Sequence, residues 1–177
     1  MNFIAMDFET ASAKRASAVS MAVVVVRDNQ VADEFYTLVN PQMEFNPFNI
    51  KIHGIHPTDV VDAPLFSEVW PVIEQFYTTN QLVVAHNAAF DNAVLKATLE
   101  NYHIPAPHYL TLDTVQTSRK LYPHLVNHKL NTVADALNIS LPHHHHALDD
   151  TRAAAQILLQ EVDQFGVEQV KPFAKMI

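Results

Sequence analysis

Residues Asn2–Val39, NFIAMDFETASAKRASAVSMAVVVVRDNQVADEFYTLV, decide the fold class. Residues 2–9 read as a first strand, and the β-branched run from Ala18 to Arg27 as a second. Asp28-Asn29-Gln30 is a turn, and Val31 to Val39 a third strand. The last two are joined by a short connection, and no helical spacing precedes them, so an antiparallel meander is expected. From Asn40 to Pro57 the chain reads as irregular, with Pro41, Pro47 and Pro57 as breakers. Helical spacing then runs from Phe66 to Tyr77, followed by a short buried strand from Gln81 to Ala85. Ala89–Tyr102 reads as an amphipathic helix and Tyr109–Asp113 as another strand. Further helices are expected at about Thr114–Leu121, Leu130–Leu137 and Leu148–Phe165. A meander followed by alternating helix and strand predicts an α/β fold. Its mixed five-stranded sheet would combine antiparallel and parallel strands, flanked by helices. With 177 residues, 49% of them hydrophobic, and neither repeat nor linker, one domain spanning residues 1–177 is expected.

Composition narrows the chemistry. There is no cysteine, which excludes disulfides and thiolate metal sites, so any metal must use oxygen or imidazole ligands. The stretch Met1–Asp7 lacks a basic region and reaches an acid too early for a signal peptide. The longest apolar run, Met21–Val26, is of strand length and cannot span a bilayer. A soluble, cytoplasmic protein with no membrane partner is the expectation. The formal net charge of −8 and the lack of a long basic patch argue against a tight, sequence-independent grip on duplex DNA. Lys14, Arg15, Arg119, Lys120 and Lys129 are the candidates for phosphate contacts.

Three separated clusters carry the acids: Asp7-Phe8-Glu9-Thr10, His86-Asn87-Ala88-Ala89-Phe90-Asp91 and His145-His146-Ala147-Leu148-Asp149-Asp150. In the first strand Asp7 and Glu9 share a face, about 7 Å apart, because side chains alternate. Asp-x-Glu is also a common pair on an exposed strand end, so this cluster alone decides little. Asp91 says more. It shares the helix face of Val94, Leu95, Leu99 and Tyr102, whereas Asn92, Lys96 and Glu100 occupy the opposite face. Compensation of the helix dipole explains an acid in a first turn, but not its inward face. Asp150 lies in line with Ala153, Ala154, Ile157, Leu158 and Glu161, so it points inward. Asp149 lies in line with Arg152, Gln156 and Gln160, and is expected to cap the helix or meet solvent. That register makes His145 the histidine placed before the inward acid. His143, His144 and His146 read as solvent-facing loop histidines capable of adventitious metal binding. Four convergent acids repel one another until divalent cations sit between them, so the pattern reads as a metal site with a histidine beside it.

In order and spacing, these clusters resemble motifs I, II and III of the DEDD-type 3′–5′ exonucleases, in the branch with histidine in motif III. That group includes the epsilon proofreading subunit of bacterial DNA polymerase III and RNase T. The resemblance runs from Asn2 to about Leu159 and extends to His53-Gly54-Ile55 and His128-Lys129-Leu130. The chain departs from the epsilon pattern at Thr10-Ala11-Ser12 and at His56, and has no recognisable polymerase-binding extension or clamp-binding peptide. It therefore looks like a free-standing or loosely epsilon-like exonuclease.

The resemblance implies a ribonuclease H-like fold and phosphodiester hydrolysis with two Mg²⁺ or Mn²⁺ ions at 3′ ends of single-stranded or frayed DNA, releasing nucleoside 5′-monophosphates. A DNA polymerase is the partner implied by likeness to a proofreading subunit. It further implies Asp7, Glu9, Asp91 and Asp150 as metal ligands: Asp7 between both ions, Glu9 and Asp150 on the first, Asp91 on the second. His145 would take the proton of the attacking water. Thr10 would hold the terminal nucleotide, and Asn87 and Phe90 would shape its sugar and phosphate pocket; core packing is the competing role for Phe90. DNA, RNA and a non-catalytic nucleic-acid-binding module stay open as alternatives. The 2′ oxygen contacts that separate DNA from RNA are not visible in sequence.

Overall fold

A computed structural model describes every residue from Met1 to Ile177. Strands β1 (Phe3–Thr10), β2 (Ala18–Arg27) and β3 (Gln30–Leu38) form the expected antiparallel meander. The β2–β3 turn is tighter than expected. Arg27 pairs with Gln30, leaving Asp28 and Asn29 as a two-residue loop, both at positive φ (51° and 64°). Asp and Asn tolerate that conformation, which matches the twist of a hairpin.

The prolines between Asn40 and Pro57 were expected to break structure, yet two of them start it. Asn46 accepts a hydrogen bond from the Phe48 N–H, and Pro47 opens helix α1 (Pro47–His53). Gly54, at φ 73°, closes it in the left-handed conformation. Proline has no N–H to lose in a first helical turn, and glycine takes the αL position freely. Pro57 likewise begins a short 3-10 turn, Pro57–Val60.

Helix α2 (Phe66–Ile73) tightens into a 3-10 turn at Glu74–Phe76. The chain then alternates β4 (Leu82–Ala85), α3 (Ala88–Asn101), β5 (Leu110–Asp113), α4 (Thr114–Leu121), α5 (Leu130–Ala136) and α6 (Ala147–Phe165). A short helix α7 (Val167–Val170) and strand β6 (Lys175–Met176) follow. The sheet order is β3-β2-β1-β4-β5-β6, with β4 parallel to β1 and β5 parallel to β4. The sheet thus has six strands where five were expected. The sixth is two residues paired antiparallel to Leu110 and Thr111, too short to leave any periodicity in the sequence. No helix is long and apolar enough to cross a membrane.

Alternation along β1 divides the core. Ile4, Met6 and Phe8 pack with Phe66, Trp70 and Ile73 of α2 and Val94, Leu95 and Leu99 of α3. Phe3 and Ala5 pack on the opposite face with Ala155 and Leu158 of α6. Asp7 and Glu9 continue that second face beyond the apolar residues, at the carboxyl end of the parallel strands. Open α/β sheets place their sites there, because the chain leaves the strands toward opposite layers.

Glu161, in line with Asp150 on α6, is fully buried, and neither carboxylate oxygen has a hydrogen-bond partner. Burial raises its pKa to about 7, against a lowering influence of the nearby Thr117 hydroxyl, which in the fold donates to the Thr114 carbonyl instead. A folded pKa above the unfolded value means that stability falls as pH rises from about 4.5 to about 7. Glu161→Gln should therefore match the wild type in chemical denaturation at pH 4.5 and exceed it by on the order of 2 kcal/mol at pH 8. Equal stability at both pH values would show that this carboxylate is solvated.

Candidate active site

Three elements deliver the four acids to one cleft of about 620 Å³. Asp7 and Glu9 come from the end of β1, Asp91 from the first turn of α3, and Asp150 from the first turn of α6. One carboxylate oxygen from each of Asp7, Glu9 and Asp150 lies within 4.8 Å of the other two. Asp91 lines the same cleft from the other layer, 1% exposed, and its Oδ1 accepts the Phe8 N–H at 3.1 Å. That bond ties α3 to the strand carrying the first two acids.

The electrostatics favour a positive charge among the acids. Burial, then the neighbouring Asp91, Glu9 and Asp150, push the Asp7 pKa well up. Glu9 rises to about 8 through burial, Asp150 and Asp91. Burial raises Asp91 against the opposing Phe8 bond, and raises Asp150 against the nearby His144. Asp7 Oδ2 is buried with no hydrogen-bond partner. An orphaned carboxylate oxygen facing two other acids is what a hard divalent cation satisfies, and an oxygen donor set suits Mg²⁺ or Mn²⁺.

The histidine loop holds a surprise. His145 sits at the cleft rim with φ 68°, and its backbone N–H donates to Asp150 Oδ2 at 3.0 Å. His144, expected in solvent, also lines the cleft, with Nδ1 3.2 Å from Asp150 Oδ1 and its ring stacked on His145. His143 Nδ1 meets Asp149 Oδ2 at 3.0 Å, and His146 stacks on Tyr36.

Asp149 neither caps the helix nor faces solvent. It is 7% exposed, held by His143 and by Arg152 Nη1 at 3.3 Å, and Arg152 in turn grips Glu34 of β3 through Nε and Nη2. The helical wheel placed Asp149 correctly on α6. The loop that folds back over that turn, together with a cross-layer ion pair, covers it.

Thr10 lines the cleft and anchors α1 through its carbonyl. Its carbonyl accepts from Asn49 Nδ2 at 2.9 Å and from His53 Nε2 at 3.1 Å, while Nδ1 of His53 accepts the Ile55 N–H. Those bonds fix the imidazole tautomer and dock α1 on the end of β1. Asn49 and Ile52 escaped the sequence reading because their helix did; Asn46-Pro47 and Gly54 were the signals that would have found it. Asn87, at φ 73°, starts α3 with its N–H on Asp113 Oδ1 at 2.9 Å, leaving its side chain free of a capping bond. Phe90 packs against the core and also lines the cleft, with the Arg15 guanidinium 4.3 Å from its ring centre. His86 bridges the Thr114 hydroxyl and the His128 carbonyl, and burial lowers its pKa to about 4. Of the basic residues considered for phosphate contact, Lys129 lines the cleft and Arg15 reaches it through Phe90.

The exonuclease family model designated RNase_T matches residues 4–158. The chain belongs to the exonuclease family. Its acids and His145 follow the DEDD pattern with histidine in the third motif. The chain is 34% identical over 173 residues to the PolC-type DNA polymerase III of Caldanaerobacter subterraneus subsp. tengcongensis, covering 95% of this chain and 12% of that protein. The PolC-type enzyme of Clostridium perfringens is 36% identical over 159 residues, covering 88% and 11%. The chain thus spans about one eighth of the length of these curated relatives. Among solved structures, Exonuclease X in complex with 5′ overhanging duplex DNA superposes with a TM-score of 0.78 at 25% identity, covering 97% of this chain and 98% of that one. Exonuclease I of E. coli with a dA16 oligonucleotide, 15% identical with a TM-score of 0.81, covers 97% and 42% and shares the fold.

The raised carboxylates give a stability test. With folded pKa values above the unfolded ones, metal-free protein should lose stability as pH rises from about 4 through about 8. At pH 8, Mg²⁺ or Mn²⁺ at about 100 times Kd should raise Tm by on the order of 5 °C. Asp7→Asn should melt higher than the wild type in chelator and gain less from metal. A wild-type Tm indifferent to metal would refute the cation site.

Proposed function

We propose that this chain is a metal-dependent 3′–5′ exonuclease that shortens single-stranded or frayed DNA ends and releases nucleoside 5′-monophosphates. The observation that carries the reading is the meeting of Asp7, Glu9, Asp91 and Asp150 in one cleft with His145 on its rim. DNA is favoured over RNA because the relatives above 30% identity are DNA polymerases, and because the Exonuclease X structure holds DNA. The same relatives make a DNA polymerase the partner this reading implies, with residues 1–177 acting as one exonuclease domain in the cytoplasm.

Asp7, Glu9, Asp91 and Asp150 would hold two Mg²⁺ or Mn²⁺ ions. When bound, these ions supply Lewis-acid polarisation of the scissile phosphate and of the attacking water. His145 supplies the base. Burial and the adjacent His144 lower its proton affinity, so the neutral imidazole that general-base chemistry needs is favoured. Water oxygen bonds to phosphorus, its proton passes to His145, and the bond to the 3′ oxygen breaks, that oxygen taking a proton from solvent. Asn87 and Phe90 bound the pocket for the terminal nucleotide. Thr10 contributes by seating α1 beside it. The cleft is lined by one exposed lysine, Lys129, which suits a short single-stranded end better than a long duplex footprint.

A 5′-labelled DNA strand should shorten stepwise from its unlabelled end in Mg²⁺ or Mn²⁺ and stay intact in excess chelator. An RNA strand run beside it measures sugar preference. One internal cut, or full activity in chelator, would defeat the reading.

Asp150→Asn should abolish turnover with the fold retained by circular dichroism. His145→Ala should lower turnover by roughly 10²–10⁴-fold while metal-induced thermal stabilisation persists. A near-normal rate in His145→Ala would remove it as the base.

A further inference from the structure

The four consecutive histidines divide between two acids. His143 and His146 stand over Asp149, with Nδ1 atoms 3.0 and 4.0 Å from Oδ2. His144 and His145 stand over Asp150, and this second group is a ligand set in its own right. One ligand atom from each of His144, His145 and Asp150 lies within 4.8 Å of the other two. His144 Nδ1 is 3.2 Å from Asp150 Oδ1. Two ligands of one tetrahedral ion, each about 2.1 Å from it, stand about 3.4 Å apart, so this pair is already close to the required spacing. The His144 and His145 rings stack with centroids 3.9 Å apart, and both residues are exposed. Exposed rings are free to rotate, so completing the set asks for side-chain adjustment of His145 toward the other two ligands.

The donor chemistry differs from that of the neighbouring carboxylates. Asp7, Glu9 and Asp150 offer oxygen alone, whereas two imidazoles and one carboxylate select Zn²⁺ over Mg²⁺. The Asp149 side of the loop lacks this capacity. Arg152 occupies Asp149 Oδ1 and brings a positive charge that opposes a cation.

We propose that His144, His145 and Asp150 form a Zn²⁺ site at the rim that shares Asp150 with the Mg²⁺ or Mn²⁺ site deeper in the cleft, and that Zn²⁺ bound there switches the nuclease off. An imidazole engaged by Zn²⁺ has no lone pair for the proton of water, so the proposed base is removed. Asp150 is drawn toward the rim at the same time. Only the inhibitory consequence rests on the proposed nuclease function; the metal site rests on the geometry.

The test uses the full chain in saturating Mg²⁺, with Zn²⁺ titrated by calorimetry and Co²⁺ as a visible-absorption probe of nitrogen ligation. Wild-type protein should bind one Zn²⁺ at this site. His144→Ala should weaken that binding by at least about 10–100-fold, the loss known for disturbing even a supporting residue of a metal site. His143→Ala should leave it unchanged. His144→Phe keeps the ring stack without its nitrogens and should behave as His144→Ala, which guards against a folding defect in the smaller variant.

Zn²⁺ inhibition of DNA shortening should weaken in the same order as the binding. Unchanged Zn²⁺ affinity in both His144 variants would overturn the site. So would equal weakening by His143→Ala, which would mean loose binding along the whole tract. A protein inactive on DNA but with His144-dependent Zn²⁺ binding would sink the nuclease reading and leave this site standing.

Discussion

Mutual repulsion among Asp7, Glu9, Asp91 and Asp150 is the constraint on which the rest of this molecule depends. Four buried or half-buried acids at one sheet end oppose folding: burial raises the pKa of each, and for Asp7 and Glu9 the neighbouring acids raise it further. The core must outweigh it. Apolar layers on both faces of β1 do so, with Phe3 and Ala5 packed against α6 and Ile4, Met6 and Phe8 against α2 and α3. The two layers that bury β1 are also the two that bring Asp91 and Asp150 to its end. Burial and site assembly are thus one event: neither layer can pack without delivering its acid.

The histidine loop has the opposite character. It is exposed, and its geometry comes from specific polar contacts. Asp150 accepts the His145 N–H, Asp149 holds His143, and Arg152 links Asp149 to Glu34 on β3. This chain of contacts runs from an edge strand, through the first turn of α6, to the rim of the cleft. It holds a histidine at φ 68°, a conformation that costs on the order of 1 kcal/mol or more and lasts only where neighbours enforce it. An imidazole held by such contacts can be aimed and yet stay accessible to solvent.

Much of the architecture was legible in the sequence because it rests on period and on local chemistry. The meander, the parallel strands, the inward acids Asp91 and Asp150 and the pairing of His145 with Asp150 all follow from side-chain alternation or helical spacing. What escaped did so for identifiable reasons. Helix α1 was hidden because Pro47 was read as a breaker when it stood at a first helical position after Asn46. Strand β6 is two residues long and exists through its pairing with Leu110 and Thr111. Asp149 was assigned to solvent because a helical wheel knows only its own helix, not the loop and the arginine that close over it.

The sequence by itself determined which acids point inward, because periodicity is a property of the local backbone and needs no partner. It likewise excluded thiolate chemistry, since the chain has no cysteine. Only the tertiary structure decided how the histidines divide between Asp149 and Asp150, and that the Thr10 carbonyl seats α1 on the end of β1. Those outcomes depend on contacts between segments distant along the chain. Such contacts form when the sheet closes and the loop comes to rest on α6, and no local spacing encodes them.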